Sequence, residues 1–484
     1  MSTRPGSVLR RILPPPGHAH RWRELVIVLF AMPVAAVAGI EATTLGTRFG
    51  FTKLALVVVT GIAAMFAASQ TRASIPLLLI TIPFILKTDQ LLDVDIHVSH
   101  GVQVVIVLQL LAGLYARRLA IPRGLGMPLG LIALGGVIGA IAGPDIGGSM
   151  VRCAVVLVPV LLLAVAAASS VDLERDLPWI IIASAVGLIG TGLLGFYQRG
   201  GGSLPGPVFT DDRIAGLFYH PNDLGGYAAV SVVLLAGVAA HIGRRFALAP
   251  FMLIVPIAAG IPTLAFTGSR SALVALAVGV TVLVLLSLAN RQIAAFFMIL
   301  LTAVVVVSIA VPRIPATQRE AFLARVQNTS TADDFGREEI FKVAVRTIGE
   351  YPLTGVGPFA FGSIMQQAQE AASFQSGAVH AHNLYLEGFL SVGPIGMIGF
   401  IWLCGGALTR LWSARPSRAG PRRALTSGWA LGSIAALAVL AAQGVVEFVF
   451  TQTELLMLCF LILGLAYAIP AQDQEEPDPR PALV

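Results

Sequence analysis

Of the chain's 484 residues, 56% are hydrophobic and only 12% are charged, and the mean hydropathy is +0.83. This excludes an ordinary soluble domain, in which about 25% of residues are charged. The formal net charge of +6 calls for no nucleic-acid partner, because an excess of Lys and Arg in a membrane protein sits in cytoplasmic loops and sets topology.

Read in order, residues 1–24 form a basic tail with Arg4, Arg10, Arg11, Arg21, Arg23 and the run Pro14-Pro15-Pro16. The arginines before an apolar run imitate a signal peptide. Pro33 interrupts that run and further spans follow, so it is read as a first anchor. Apolar segments then occupy 25–45, 54–69, 74–87, 98–116, 125–142, 150–169, 177–197, 222–242, 250–266, 271–289 and 293–311, and, after a long polar interruption, 391–412, 426–445 and 454–470. Since a helix needs about 20 residues to cross the hydrocarbon, this predicts an all-α polytopic protein with about 12–14 transmembrane helices. The short pair 54–69 and 74–87 is the least defined. Residues 25–312 hold the first spans, 313–390 one large extracytoplasmic loop, 391–470 the last three spans and 471–484 an acidic tail. Cys153, Cys404 and Cys459 all lie in apolar segments without zinc-ligand spacing.

Charge placement fits fourteen spans with the N-terminus inside. Arg117, Arg118 and Arg123, then Arg244 and Arg245, then Arg410, Arg415, Arg418, Arg422 and Arg423 all fall on the cytoplasmic side, as the positive-inside rule requires. The same register gathers residues 198–221, the turn at Thr267–Ser271 and the long loop on the outer face, with Lys87–His100 beside them. Inside the long loop, Asp333 or Asp334 caps a predicted helix over 335–349 with Ile340, Phe341, Val343, Ala344 and Ile348 on its apolar side. Gly355-Val356-Gly357-Pro358 reads as a turn, 359–372 as a second helix, and Asn383 as the start of another, broken at Gly393-Pro394.

Four patches carry polar chemistry on that face: Arg213 with His220 and Asn222, then Arg270, then Arg337, then His380, His382 and Asn383. Arginine at the mouth of a span is costly without a partner and marks a functional site by default. Three converging arginines suit a phosphate or diphosphate, whose oxygens match guanidinium forks. Bland readings stand beside this one. Arg213 is also compatible with a pair to Asp211 or Asp212, Arg270 with snorkelling to headgroups, and Arg337 with a solvated pair to Glu338 or Glu339 or to an acidic cap. A single loop histidine is more often unremarkable than catalytic, although His382 directly precedes a membrane helix beside Asn383.

Taken together and in order, Arg213…Gly216…Pro221-Asn222…Gly225, Thr267-Gly268-Ser269-Arg270, Gly336-Arg337 with Pro352…Gly355-Val356-Gly357, and His380-Ala381-His382-Asn383-Leu384-Tyr385-Leu386 with Gly393…Gly396 resemble the O-antigen ligase and polymerase superfamily. The resemblance covers roughly 200–400. It implies a GT-C-like glycosyltransferase of the bacterial inner membrane, multi-pass, with its active site facing the periplasm. Such enzymes move a glycan from a polyprenyl (undecaprenyl) diphosphate carrier to an acceptor hydroxyl on a glycan, lipid or protein. Carried over by position, Arg270 and Arg337 match the diphosphate ligands, Arg213 a further basic site, and His382 the base that activates the acceptor. His220, Asn222, Asn383 and His380 are supporting candidates.

The chemistry is consistent with that assignment. Diphosphate is a good leaving group, so the enzyme has to position the donor and neutralise developing charge. Arginine does this without a metal or other cofactor. A histidine base contributes typically about 10²–10⁴-fold, and direct displacement inverts the anomeric centre. Competing expectations are a metal-assisted transferase using Asp89, Asp93, Asp95, Asp211 or Asp212, an anion (bicarbonate-like) transporter, and a protein O-oligosaccharyltransferase. Transporters bind near the midplane on broken helices and show repeated halves, whereas here the polar residues cluster at one face.

Overall fold

The computed structural model describes residues 71–85, 87–91, 94–202, 213–242, 249–289, 332–372, 380–414, 421–450 and 453–469, with 204 and 320. The predicted spans 25–45, 54–69 and 293–311 lie outside them, as do Asp93, Asp211, Asp212 and both tails. In chain order the elements are α1 (Thr71–Thr81), β1 (Lys87–Leu91), β2 (Val94–His97), α2 (Val98–Tyr115), α3 (Gly126–Ala142), α4 (Ile146–Arg152), a π-helical turn (Cys153–Leu157), α5 (Val158–Ser170), α6 (Leu173–Arg199), α7 (Pro221–Ile242), α8 (Ala249–Thr267), α9 (Arg270–Ala289), α10 (Ala332–Glu350), α11 (Phe361–Ala372), α12 (Leu384–Ser413), α13 (Pro421–Gln443) and α14 (Thr453–Tyr467).

The protein is an all-α polytopic membrane protein. Among the described residues six helical stretches are long and apolar enough to cross a bilayer, and shorter apolar helices lie beside them. Exposed Leu108, Met127, Leu193, Val274, Leu285, Ile401 and Trp402 fit helices whose outer surface faces lipid rather than water.

Most predicted segments coincide with observed helices. The predicted span at 74–87 differs: its helix stops at Thr81, two residues before Pro83, consistent with the bias of the residue preceding proline against helix. The stretch expected as a polar loop then forms an antiparallel hairpin in which Leu91 pairs with Val94 and Lys87 with His97. Alternation of Val94 and Ile96 with Asp95 and His97 is a strand pattern. The hairpin leads into α2, where the Ser99 hydroxyl donates to Glu454 Oε1 at 3.0 Å and fastens α2 to the start of α14.

Small residues let the helices approach closely, as membrane packing requires. A Cβ on Gly237 of α7 would strike the Gly432 backbone of α13, and one on Gly135 of α3 the backbone of α12 at Val392 and Gly396. These are the two most extensive helix pairings among the described elements. At the opposite end of α12 from Leu384, Arg410 donates to the carbonyls of Ile469 and Arg123 at 3.0 and 2.9 Å while stacking on Tyr467.

Helix α10 begins at Ala332, so Asp333 and Asp334 fall in its first turn rather than before it. Ile340 and Ala344 are buried with Val356, Phe361, Met365 and Leu390 in a small second core. This core seats α10 and α11 on α12. The seat is locked by backbone: Val356 N–H donates to Leu390 O at 2.7 Å. Gly355 and Gly393 both have positive φ and lie too close for side chains, since a Cβ on either would meet the other segment's carbonyls. The Gly393-Pro394 break is therefore a kink inside α12, which starts at Leu384 with Asn383 as its cap, so the apolar span read from 391 is the part beyond the kink.

Candidate functional site

Residues from α7, the loop before it, α10, the segment before α12 and the turn between α13 and α14 converge at one end of the bundle. Asn383 organises the start of α12. Its side-chain oxygen accepts from the backbone N–H groups of Tyr385 and Leu386, each at 2.9 Å, capping the helix, while its amide donates to Val445 O at 2.7 Å. Leu384 N–H donates to Gly444 O at 2.7 Å, and Tyr385 Oη donates to Ala441 O at 2.9 Å. The entry to α12 is thus stapled to the end of α13. Just before it, His382 has φ +47, a left-handed conformation that costs a non-glycine residue about 1–3 kcal/mol and tends to occur at functional sites.

That conformation accompanies a contact absent from the sequence argument. His382 Nδ1 lies 3.0 Å from Oε1 of Glu447, a carboxylate in the turn after α13 whose side chain is only 6% exposed. Glu447 is a hub. Its Oε2 accepts from Asn222 Nδ2 at 2.8 Å and lies 3.8 Å from the Arg337 guanidinium, and His380 Nε2 is 3.9 Å from Oε1. Asn222 in turn accepts from Arg213 at 2.8 Å, whose Nε donates to Thr267 O at 2.7 Å. Gln443 adds a bond to Asn222 O at 3.1 Å, and His220 Nδ1 accepts from Asn222 N–H at 3.1 Å.

Burial alone would raise the Glu447 pKa. The close approach of His380, the hydrogen bond with His382 and the Arg337 charge outweigh it and hold the carboxyl well below the usual range. His380 is shifted the other way from its own partner's pull: burial lowers its pKa, and the Glu447 carboxylate 3.9 Å away only partly offsets that. An ionised Glu447 fixes the His382 tautomer, since Nδ1 must carry the proton to donate to it, leaving the Nε2 lone pair available.

Of the residues singled out from sequence, Arg213, Asn222, Arg337, His380 and His382 therefore meet around one carboxylate, His220 joins through the α7 backbone, and Asn383 builds the scaffold. Arg270 opens α9, three residues past the carbonyl that holds Arg213. The bland pair of Arg337 with Glu338 or Glu339 gives way to Glu447, while those two acids pair with Lys342 at 2.9 and 2.7 Å. Asp89 and Asp95 lie in the hairpin strands. As for metal, His380, His382 and Glu447 each offer an atom near enough to share a cation, as do His97, His100 and Glu454. In the latter set His100 Nδ1 already accepts from His97 N–H at 3.1 Å in the first turn of α2.

Sequence reasoning missed Glu447. The available signal was a lone acid inside the apolar run Gly444–Phe450 between two spans, where burial without partners is expensive.

Residues 256–401 match the O-antigen ligase family (Wzy_C). Over this stretch the chain is O-antigen ligase-like. The matched region takes in Arg270, Arg337, His380 and His382, so it carries much of the cluster just described, while Arg213, Asn222 and Glu447 lie outside its limits. No curated protein matches the chain. The O-antigen ligase match supports a ligase- or polymerase-type glycosyltransferase in general, working at the membrane on a glycan or lipid-linked substrate.

Proposed function

We propose that the chain is an inverting, metal-independent glycosyltransferase that takes a glycan from a polyprenyl diphosphate carrier at the outer face of the bacterial inner membrane. The observation that carries this reading is the 3.0 Å contact between His382 Nδ1 and Glu447 Oε1, with Arg337 and, through Asn222, Arg213 tied to the same carboxylate. A histidine held in the Nδ1–H tautomer by a carboxylate is poised to accept a proton at Nε2. Arginines beside it supply permanent positive charge for a departing diphosphate. In the step itself the acceptor hydroxyl oxygen bonds to the anomeric carbon as the bond from that carbon to the diphosphate oxygen breaks. The hydroxyl proton passes to His382 Nε2, and the diphosphate leaves with the bonding electrons. Arg213, Arg270 and Arg337 are the proposed diphosphate ligands, and Asn222, His220, His380 and Asn383 support them. Helices α10 and α11, seated on α12 by their shared core, are the proposed cover over this end.

The test is transfer by purified full-length protein using lipid-linked glycan extracted from a strain lacking it. His382→Ala is expected to bind donor normally and to lose transfer by about 10²–10⁴-fold; near wild-type transfer by a folded variant would remove the base assignment. In the deletion strain, accumulation of lipid-linked polymer indicates a ligase, and accumulation of single lipid-linked repeats indicates a polymerase.

A further inference from the structure

A cavity of about 410 Å³ lies beside His380, lined by Asp145, Arg152, Phe359, Gln366, His380 and Phe448 among others. None of these residues except His380 belongs to the cluster around Glu447. His380 forms a shared wall: its ring centroid is 4.4 Å from that of His382 and 5.7 Å from that of Phe448.

The cavity's charge is internally balanced. Arg152 donates to Asp145 Oδ2 at 3.1 Å, and Asp145 Oδ1 accepts from Gly148 N–H at 2.9 Å, which fixes the carboxylate at the start of α4. With the guanidinium neutralised, the pocket is unsuited to a phosphate. What remains is a set of planar carboxylate, guanidinium and amide groups rich in both donors and acceptors, facing Phe359 and Phe448, whose ring centroids are 6.2 Å apart. Adjacent hydroxyls bind such planar groups in pairs, while the apolar face of a sugar ring lies on an aromatic face.

Two backbone features mark the same place. The helix that carries Arg152 passes into a π-helical turn at Cys153–Leu157, a departure often found at functional sites. Phe359 has φ +58, strain that a packed side chain retains where the surroundings demand it. Both features fall on residues that line the cavity or directly adjoin one that does.

We infer that this cavity is the acceptor subsite, and that it binds a neutral, polyhydroxylated saccharide through Asp145, Arg152 and Gln366 with Phe359 and Phe448 as stacking faces. The inference rests on the transferase reading above. Acceptor sugar in the cavity and donor diphosphate at the arginines then meet at the paired histidines, whose ring centroids are 4.4 Å apart, where the hydroxyl attacks the anomeric carbon as the diphosphate leaves.

The experiment uses the purified full chain, with donor extracted from a deletion strain. The acceptor probe is saccharide released from the envelope of that strain, delipidated and treated with protease. Arg152→Gln and Gln366→Ala should each raise KM for this saccharide about tenfold or more while KM for donor and kcat stay within about twofold, and calorimetry should show saccharide affinity weakened to match. Should Arg152→Gln fail to fold, Gln366→Ala on α11 decides alone. An unmoved acceptor KM, or a change confined to donor KM, overturns the subsite. So does transfer to undigested envelope protein but not to the digested saccharide, which would make the acceptor a polypeptide. Wild-type protein that transfers to neither probe would instead remove the transferase reading, and the subsite with it.

Discussion

His382 Nδ1 stands 3.0 Å from Glu447 Oε1 across 65 residues of chain, joining the segment before α12 to the turn after α13. Because this carboxylate fixes the tautomer of the ring, Glu447→Gln should lower kcat by about 10²-fold or more. An amide can still accept from Asn222, so the fold should survive. A folded Glu447→Gln variant whose kcat stays within a few-fold of wild type would contradict this role.

The arginines separate by their contacts. Arg337 lies 3.8 Å from Glu447 and is 33% exposed, leaving much of its fork for a ligand. Arg213 spends its Nε and one terminal nitrogen on Thr267 O and Asn222. Arg337→Gln should therefore act mainly on donor, raising its KM about tenfold or more with little loss of unfolding midpoint. Arg213→Gln should add a stability loss, because Thr267 O and Asn222 lose a charge-assisted partner worth about 1.5–3 kcal/mol each. Donor titrations and thermal melts in detergent measure the two effects. Equal melting losses in both variants would contradict the distinction.

The chain's periodicity and charge make the helices and the basic patches legible in the sequence. Arg213, Arg337, His380 and His382 stand out as polar groups where apolar runs end, and the alternation of apolar positions in 335–349 announces α10. Glu447 did not stand out. It sits in a short apolar turn with no motif around it, and its significance comes from partners 65 and 225 residues away. The Lys87–His97 hairpin was also hidden, because its polar composition resembles a loop and only four residues alternate in β2. The lock between Gly355 and Gly393 was visible only as two turn signals, since their meeting depends on how α10 and α11 fold back over α12.

That lock makes a stability prediction. Gly393 has φ +60 and ψ −175, a region open essentially to glycine alone, and a Cβ there would also strike Thr354 O. Gly393→Ala should cost about 1–3 kcal/mol from backbone strain, with the clash adding to it. Because the strained turn seats α10, the loss should appear as faster proteolysis within 332–372 together with a higher donor KM through misplaced Arg337. Limited proteolysis and mass mapping of the variant and wild type provide the comparison. Unchanged cleavage would show that the turn does not hold the loop helices.

Acid should loosen the site by a definite route. Glu447 is held below its ordinary pKa, so the folded state binds fewer protons than the unfolded one, and its contribution is present above the unfolded carboxyl value of about 4.3 and lost as pH falls toward the folded value. His380 is also depressed, by burial, and its neutral form is favoured above the unfolded imidazole value of about 6.5. Its share is lost as pH drops below that point. Stability should therefore decline in two stages as pH falls, the first below about 6.5 from His380 and the second below about 4.3 from Glu447. Unfolding midpoints in detergent from pH 8 down to about 2 should show His380→Asn flattening the first stage. Glu447→Gln should flatten the second and deepen the first, because it removes the carboxylate that partly offsets the effect of burial on His380. A midpoint that rises on acidification through pH 6 would reverse the sign and show His380 to be charged in the folded state.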